Sequence, residues 1–149
     1  LNMFSLTPNN ELTFNIRDFV YFIIGYENKL TNTNFAVYIT NTKNPTNAFY
    51  FKSAMEMVSF MQRIGVNKVI DMMNDSVFVS MNGFRRCLIE NYQDYYKAKN
   101  IYLCLDNPVY SKDVIIFTNE LNKNYNFKTY YPEGCKCWND SIKNSCKAV

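Results

Sequence analysis

The chain contains no histidine, and this absence excludes more chemistry than any residue that is present. Without imidazole there is neither Ser-His-Asp nor Cys-His catalysis of the usual kind, nor any metal site with a histidine ligand. Glycine and proline are scarce, at four residues each, which argues against a fibrous or disordered chain. No apolar run approaches the ~20 residues that span a bilayer. We therefore expect a soluble, cytoplasmic protein that makes no contact with a membrane.

Neither sign of charge is in strong excess: 16 basic and 13 acidic residues give a net charge of +3. This surplus permits an anionic partner without requiring one, and dedicated nucleic-acid binders are usually more basic. The apolar fraction of 48%, with 12 tyrosines and 12 phenylalanines, is ample for a buried core. A chain of 149 residues is long enough for one domain.

The five cysteines are an odd number, which argues against a disulfide scaffold. Cys87 and Cys104 lie within apolar patterns and are predicted to be core thiols. Cys135, Cys137 and Cys146 could offer three thiolates to zinc, but a fourth ligand would have to come from Cys104 or a carboxylate, and zinc motifs favour a two-residue spacing between cysteines. We therefore expect no metal at these cysteines.

From residue 48 onward, segments typical of strands and of helices alternate. The predicted strands, rich in aromatic and β-branched residues, cover 35–40, 48–51, 76–80, 100–105 and 127–131. The predicted helices cover 53–64, 66–73, 84–97, 109–124 and 138–146. This alternation predicts an α/β fold for residues 35–149, with a mainly parallel central sheet and helices on both faces.

Residues 1–34 are predicted to be an N-terminal extension, and whether it packs on the domain stays open. Within it, 1–10 is polar and irregular, and 12–16 alternates as a strand does. The apolar run at 19–24 suits either a strand or a helix, because periodicity cannot separate the two over so short a length.

The helix predicted at 53–64 has a clear start. Ser53 is a favoured N-cap residue, and Glu56 is expected to be its reciprocal partner in a capping box. This structural role is favoured over a catalytic role for Glu56. Gly65 ends the helix. The apolar stripe is predicted to consist of Met55, Val58, Met61 and Ile64.

Four short motifs stand where predicted strands end or helices begin. They read FKSAME at 51–56, VFVSMNG at 77–83, LCLDNPVYS at 103–111 and PEGCKCWN at 132–139. In this order they resemble the Toprim (topoisomerase–primase) domain, most of all the Toprim-like domain of primase and relaxase proteins of bacterial mobile elements. That family has a Glu-Ser-Ala turn, a small turn with glycine, an Asp-Asn-Asp strand end followed by a small pair, and a late Pro-x-Gly stretch with Trp-Asn.

The resemblance implies a chemistry that this chain has largely lost. In the active family, a glutamate at the position of Lys52 serves as general acid or base, and aspartates at the positions of Asp106 and Pro108 bind Mg²⁺. Mg²⁺ prefers hard oxygen ligands, and phosphoryl transfer depends on its charge. Here two of the three acids are replaced, and Tyr110 and Ser111 replace the small pair. We therefore expect no catalytic residues and no cofactor, with Asp106 as the one remaining candidate ligand for Mg²⁺.

A Toprim-like fold would bring Lys52 and Asp106 from neighbouring strand ends into one cleft. The lysine ammonium would then take the place of the metal ion and pair with Asp106, which weakens any residual metal binding. Two simpler interpretations stay open: Lys52 is an ordinary solvated residue, or Asp106 caps the next helix with Pro108 in its first turn. Trp138 is expected to pack in the core rather than to stack on a base.

A second candidate surface combines basic and aromatic residues around the helix predicted at 84–97. Tyr92, Tyr95 and Tyr96 near cationic side chains suit single-stranded nucleic acid, whose bases stack on aromatic rings. The simpler interpretation is a half-buried helix with one solvated face. The candidate nucleic-acid-binding residues are Arg85, Arg86, Lys97, Lys99 and Lys136.

The sequence favours three functions, in this order. The first is a pseudoenzyme: a primase-like or relaxase-associated Toprim domain that binds nucleic acid in the DNA replication or transfer machinery of a phage or other mobile genetic element. The second is an inhibitor or regulator that binds a protein of the replication, transfer or defence machinery. The third is a divergent Mg²⁺-dependent phosphoryl-transfer enzyme that joins Asp106 to Asp113 or Asp140. It is the least favoured, because Asp113 lies too far along the predicted helix to share one ion with Asp106.

Overall fold

The computed structural model describes residues 4–6, 12–16, 20–24, 37–81 and 83–147, with the side chains of 38–81 and 83–144. The chain divides into two compact units, Leu1–Val37 and Tyr38–Val149. The predicted boundary between residues 34 and 35 falls inside the first unit. The packing of the N-terminal extension on the domain stays a prediction.

Where the first unit is described, its strands β1 (Phe4–Leu6), β2 (Leu12–Ile16) and β3 (Val20–Ile24) form an antiparallel sheet in that order. In its register, Phe14 lies opposite both Phe4 and Phe22. The strand predicted at 12–16 is confirmed, and the ambiguous run at 19–24 is a strand where it is described. The irregular segment predicted at 1–10 is wrong for residues 4–6, which pair with β2; its other residues lie outside the described ranges.

The second sheet has five strands, in the order β4-β6-β5-β7-β8. The pairs β5–β6, β5–β7 and β7–β8 are parallel, so that the sheet is mainly parallel, as predicted. Residues 35 and 36 of the strand predicted at 35–40 lie outside the described ranges. The strands are β4 (Val37–Ile39), β5 (Asn47–Phe51), β6 (Ser76–Ser80), β7 (Asn100–Cys104) and β8 (Lys128–Tyr130).

In the described part of the chain, five helices follow or separate these strands, and the predicted α/β class is confirmed. Within the described ranges, none of the helices is both long and apolar enough to cross a membrane. The helices are α1 (Ala54–Ile64), α2 (Val66–Met72), α3 (Arg86–Tyr96), α4 (Lys112–Leu121) and α5 (Trp138–Lys147).

A row of aromatic rings crosses one face of the parallel sheet. Phe49 of the central strand stacks on Phe78 and Tyr102 of its two neighbours, with ring centroids 5.1 and 4.6 Å apart. Phe60 of α1 packs on Phe49, and Trp138 of α5 meets Phe60 edge-on at 5.0 Å. Trp138 is therefore a core residue, as predicted, and α1 and α5 cover this face together.

Helix α3 packs on the opposite face of the parallel sheet. Tyr50, which is fully buried, donates a hydrogen bond from its hydroxyl to Gln93 Oε1 at 3.0 Å. Gln93 in turn donates to the carbonyl oxygen of Ala98, just beyond the helix, at 3.1 Å. Burial raises the pKa of Tyr50, so its hydroxyl keeps its proton and remains a donor. Because helices pack on both faces of the sheet, the ends of its strands are the places where a ligand can approach.

The stripe predicted for α1 is confirmed at Met61, which is buried, and wrong at its other positions. The residues that the helix buries include Ala54, Met57 and Phe60, whereas Met55 and Val58 are only partly buried. The apolar residues of this helix are so frequent that two adjacent faces satisfy the same period. The aromatic row on the sheet selects the face that carries Phe60.

Candidate functional site

The carboxyl ends of three parallel strands meet at one edge of the sheet. Phe51, the last residue of β5, is in register with Ser80 at the end of β6 and with Cys104 at the end of β7. The segments that leave these strands therefore begin at the same edge, which is where open α/β sheets bind ligands. Lys52 comes directly after β5, and Asp106 comes two residues after the end of β7.

Lys52 and Asp106 form an ion pair at this edge. The Nζ atom of Lys52 lies 2.7 Å from Oδ2 of Asp106; the lysine side chain is 32% exposed and the aspartate side chain 4%. The pairing predicted from sequence is confirmed, and the interpretation of Lys52 as an ordinary solvated residue is wrong. The other carboxylate oxygen, Oδ1, is buried and has no hydrogen-bond partner among the described residues.

The segment after Asp106 is a turn rather than the start of a helix. Asn107 accepts a hydrogen bond at its side-chain oxygen from the backbone N–H of Val109, and at its carbonyl from that of Tyr110, both at 3.0 Å. These bonds hold residues 107–110 in a turn, so α4 begins at Lys112, not at 109 as predicted. The alternative role of Asp106 as a helix cap, with Pro108 in the first turn, is therefore wrong.

The four motifs lie together at this edge. The backbone N–H of Gly83, in the second motif, donates to the carbonyl of Lys52, in the first, at 2.6 Å. The ion pair joins the first motif to the third. Asn107, in the third motif, donates from its backbone to the carbonyl of Lys136 at 2.8 Å and from its side chain to that of Pro132 at 3.1 Å, both in the fourth motif.

Glu56 links the first motif to the fourth by a second route. Its carboxylate accepts hydrogen bonds from the backbone N–H groups of Trp138, at 2.6 Å, and Asn139, at 3.3 Å, and from the thiol of Cys137. It thereby satisfies free donors at the start of α5. The predicted capping box is half correct: Ser53 does accept from the backbone N–H of Glu56. Glu56 itself, however, caps a helix 82 residues away.

Burial shifts the pKa of this carboxylate. Glu56 is 5% exposed, and desolvation raises its pKa above the ordinary value. The hydrogen bonds from Trp138, Cys137 and Asn139 and the charge of Lys52 act in the opposite direction without cancelling the rise. A buried carboxylate held by backbone donors is a structural element, as predicted, although its partner is different from the predicted one.

The cysteines differ in part from the sequence prediction. Cys104 is buried, as predicted, and burial raises the pKa of its thiol. Cys87 is exposed, contrary to the prediction, because Leu88 and Ile89 take the buried face of α3. Burial also raises the pKa of Cys137 to about 11, which disfavours the thiolate that zinc requires.

No metal centre forms among the described side chains. Within that part of the chain, no three acidic or cysteine residues lie close enough to hold a metal ion. Asp113 and Asp140, the proposed partners of Asp106 in an active enzyme, lie in the first turns of α4 and α5. The side chain of Cys146, the third candidate thiolate for zinc, is outside the described residues.

The candidate nucleic-acid-binding residues fall at two edges of the sheet. Arg85 and Arg86 begin α3 after β6, and Lys136 contacts the turn after β7. Lys97 ends α3 and Lys99 precedes β7, at the opposite edge. At ~3.3 Å per residue, the five residues of β7 separate the edges by ~16 Å. The structure therefore does not bring these five side chains into one patch.

A groove lined by tyrosines lies beside α3, and the sequence predicted only part of it. Tyr92, Tyr95 and Tyr96 of the helix are joined by Tyr38 of β4 and by Asn91 around an open depression of about 250 Å³, here called the tyrosine groove. Tyr38 was missed because its proximity depends on β4 lying at the end of the sheet next to β6. An aromatic residue in a short predicted strand is the only local signal.

No family model, curated protein or solved structure matches the chain. The features of this chain that bear on function are therefore the four motifs, the ion pair and the surfaces around them.

Proposed function

We propose that this chain is a catalytically degenerate Toprim-like domain that binds nucleic acid within the DNA replication or transfer machinery of a mobile element. The observation that carries the proposal is the meeting of all four motifs at one edge of the sheet, with Lys52 paired to Asp106. Four short matches scattered along a chain mean little by themselves, but a common location is what a shared site requires.

The ion pair supports binding without catalysis. A magnesium site needs carboxylate oxygens that are free to coordinate the ion. Here the Asp106 carboxylate is engaged by an ammonium 2.7 Å away, whose positive charge opposes the approach of a second cation. The pair itself carries no net charge, so the cation that favours a phosphate at this edge is the exposed Lys136.

Replacing Lys136 tests this assignment. We expect Lys136→Gln to weaken binding to DNA roughly three- to tenfold at low salt, about equally for every sequence, because a phosphate contact carries no sequence information. The slope of the logarithm of the binding constant against the logarithm of salt concentration should fall by about one. Fluorescence anisotropy with labelled single- and double-stranded oligonucleotides at several salt concentrations measures both quantities.

Lys123→Gln is the matched control. Lys123 is also exposed, but it follows α4 at the end away from the turn that contains Asn107, ~15 Å along the ten-residue helix. It should bind as the wild type does. If the wild-type protein shows no salt-dependent binding to either form of DNA, nucleic-acid binding is wrong. Co-purification of a protein partner under those conditions would then favour the inhibitor or regulator.

A further inference from the structure

Two rings of the tyrosine groove stack on each other, and the other two stand at steep angles to them. Tyr92 and Tyr96 stack on each other with centroids 6.1 Å apart and planes 24° apart. Tyr38 meets both at steep angles, 61° and 64°, and Tyr95 stands perpendicular to Tyr96 at 89°. Tyr95 is 79% exposed, so its ring has a free face. Such rings offer π-surfaces in more than one orientation.

The size and lining of the groove select a small, flat, neutral ligand. Among the described residues, no charged side chain lines it; the tyrosines are joined there by Asn91, whose amide can donate and accept hydrogen bonds. Its volume of about 250 Å³ lies below the range of about 300–1,000 Å³ that is typical of sites for drug-sized molecules. A single flat heterocycle with polar edges fits this description, and so does an unpaired nucleobase.

The charges beside the groove favour a base that carries phosphates. Lys97 follows Tyr96 directly, and Lys99 comes two residues later; both are exposed. Lys97 has the left-handed conformation, with φ of 52°, at a helix end where glycine is the usual residue. Of the two acids on α3, Glu90 is paired with Arg86. Asp94, four residues later on the same side of the helix, lies near Tyr125 and does not line the groove. The exposed cations at this helix end therefore complement an anionic backbone next to an uncharged ring.

We propose that the tyrosine groove binds an unpaired base of single-stranded nucleic acid, with Lys97 and Lys99 against the flanking phosphates. This inference rests on the proposed function and narrows it: the partner is single-stranded, and the bases are held by stacking rather than read by their sequence. Stacking on Tyr95 requires a base that has left the duplex, because paired bases present no free face to a side chain.

The test compares the wild-type protein with Tyr95→Ala on three labelled probes: a short oligothymidylate, a strand of the same length made of abasic sites, and a duplex. The wild type should bind oligothymidylate at least fivefold more tightly than the abasic strand or the duplex. Tyr95→Ala should lose about tenfold on oligothymidylate, since one stacked base contributes about 1–3 kcal/mol. The preference over the abasic strand should largely disappear.

Three further variants separate stacking from other effects. Tyr95→Phe keeps the ring and should bind nearly as the wild type does. Tyr130→Ala, which removes a 45% exposed tyrosine away from the groove, should keep the preference for thymidylate over abasic strand. Lys97→Gln should lower the salt dependence by about one phosphate contact while that preference persists.

The outcomes distinguish the groove from the proposed function. Equal, salt-dependent binding of the thymidylate and abasic strands, unchanged in Tyr95→Ala, would refute the groove and leave nucleic-acid binding intact. Failure of all three probes to bind would refute both the role of the groove and nucleic-acid binding by the chain. A protein partner whose binding depends on Tyr95, in a chain that ignores all three probes, would assign the groove to protein recognition instead.

Discussion

Replacing Lys52 with methionine is expected to lower the free energy of unfolding by roughly 2–3 kcal/mol. The substitution keeps the aliphatic stem but leaves the Asp106 carboxylate buried without its cation. Removing one partner from a fully buried pair costs about 3–5 kcal/mol, and the 32% exposure of the lysine side chain places the effect below that range. Urea denaturation followed by tryptophan fluorescence measures the loss.

Two further variants show whether the charge pairing is responsible. Arg86→Met breaks the exposed pair between Arg86 and Glu90 and should cost no more than about 0.5 kcal/mol. The double variant with Lys52→Met and Asp106→Leu removes both charges and should recover to within about 1 kcal/mol of the wild type or exceed it. A loss in Lys52→Met no larger than that in Arg86→Met would contradict the role given to the pair.

The effect of Mg²⁺ on the unfolding midpoint is a second test of the pair between Lys52 and Asp106. The unfolding midpoint of the wild type should not respond to Mg²⁺, because Lys52 holds the carboxylate that remains. Lys52→Glu places a second carboxylate beside Asp106 and should be stabilised by Mg²⁺, whereas Lys52→Met should not. Stabilisation of the wild type by Mg²⁺ that is lost in Asp106→Asn would revive the phosphoryl-transfer enzyme.

Replacing Glu56 with alanine is expected to lower the free energy of unfolding by about 3 kcal/mol. The change removes a buried acceptor of the backbone N–H groups of Trp138 and Asn139, and a buried donor left without a partner costs about 1–3 kcal/mol. Glu133→Ala, at an exposed position in the fourth motif, should be nearly neutral. A loss in Glu56→Ala below about 1 kcal/mol would show that the carboxylate does not hold α5.

The pH dependence of Glu56 has a definite sign. Its pKa in the folded chain is above the ordinary value of 4.5, so the folded state binds its proton more tightly than the unfolded state does. The free energy of unfolding of the wild type, measured against Glu56→Gln, should therefore fall as the pH rises from 4.5 through the raised pKa, and stay constant above it. Taking the difference between the two proteins cancels the other carboxylates. A difference that grows with pH would contradict the shift.

The strands at the sheet edge are predicted well because their signal is local: aromatic and β-branched runs mark them. The expectation that Lys52 and Asp106 share a cleft came from the resemblance to the Toprim domain, and the observed parallel pairing of β5 with β7 brings the two residues together. The same parallel arrangement places the other two motifs at this edge, since they follow β6 and β8.

The features that the sequence did not predict depend on contacts between distant residues. The role of Glu56 at α5 cannot be read locally, because Ser53 offers a nearby explanation for the same residue. The start of α4 was misplaced since the side chain of Asn107 competes for the backbone groups that a helix would use. The tyrosine groove depends on strand order, which brings Tyr38 to α3.

The contact between Glu56 and Trp138 also has a consequence for folding during synthesis on the ribosome. Residues near the middle of the chain are synthesised well before the segment that secures α1, so the nascent domain cannot close until residue 138 has left the exit tunnel. Until then the ring of Phe60 lacks its contact with Trp138, and the aromatic residues on this face of the sheet are exposed to solvent, where they favour aggregation. A stop codon upstream of residue 138 should therefore yield a product that chaperones retain or proteases remove.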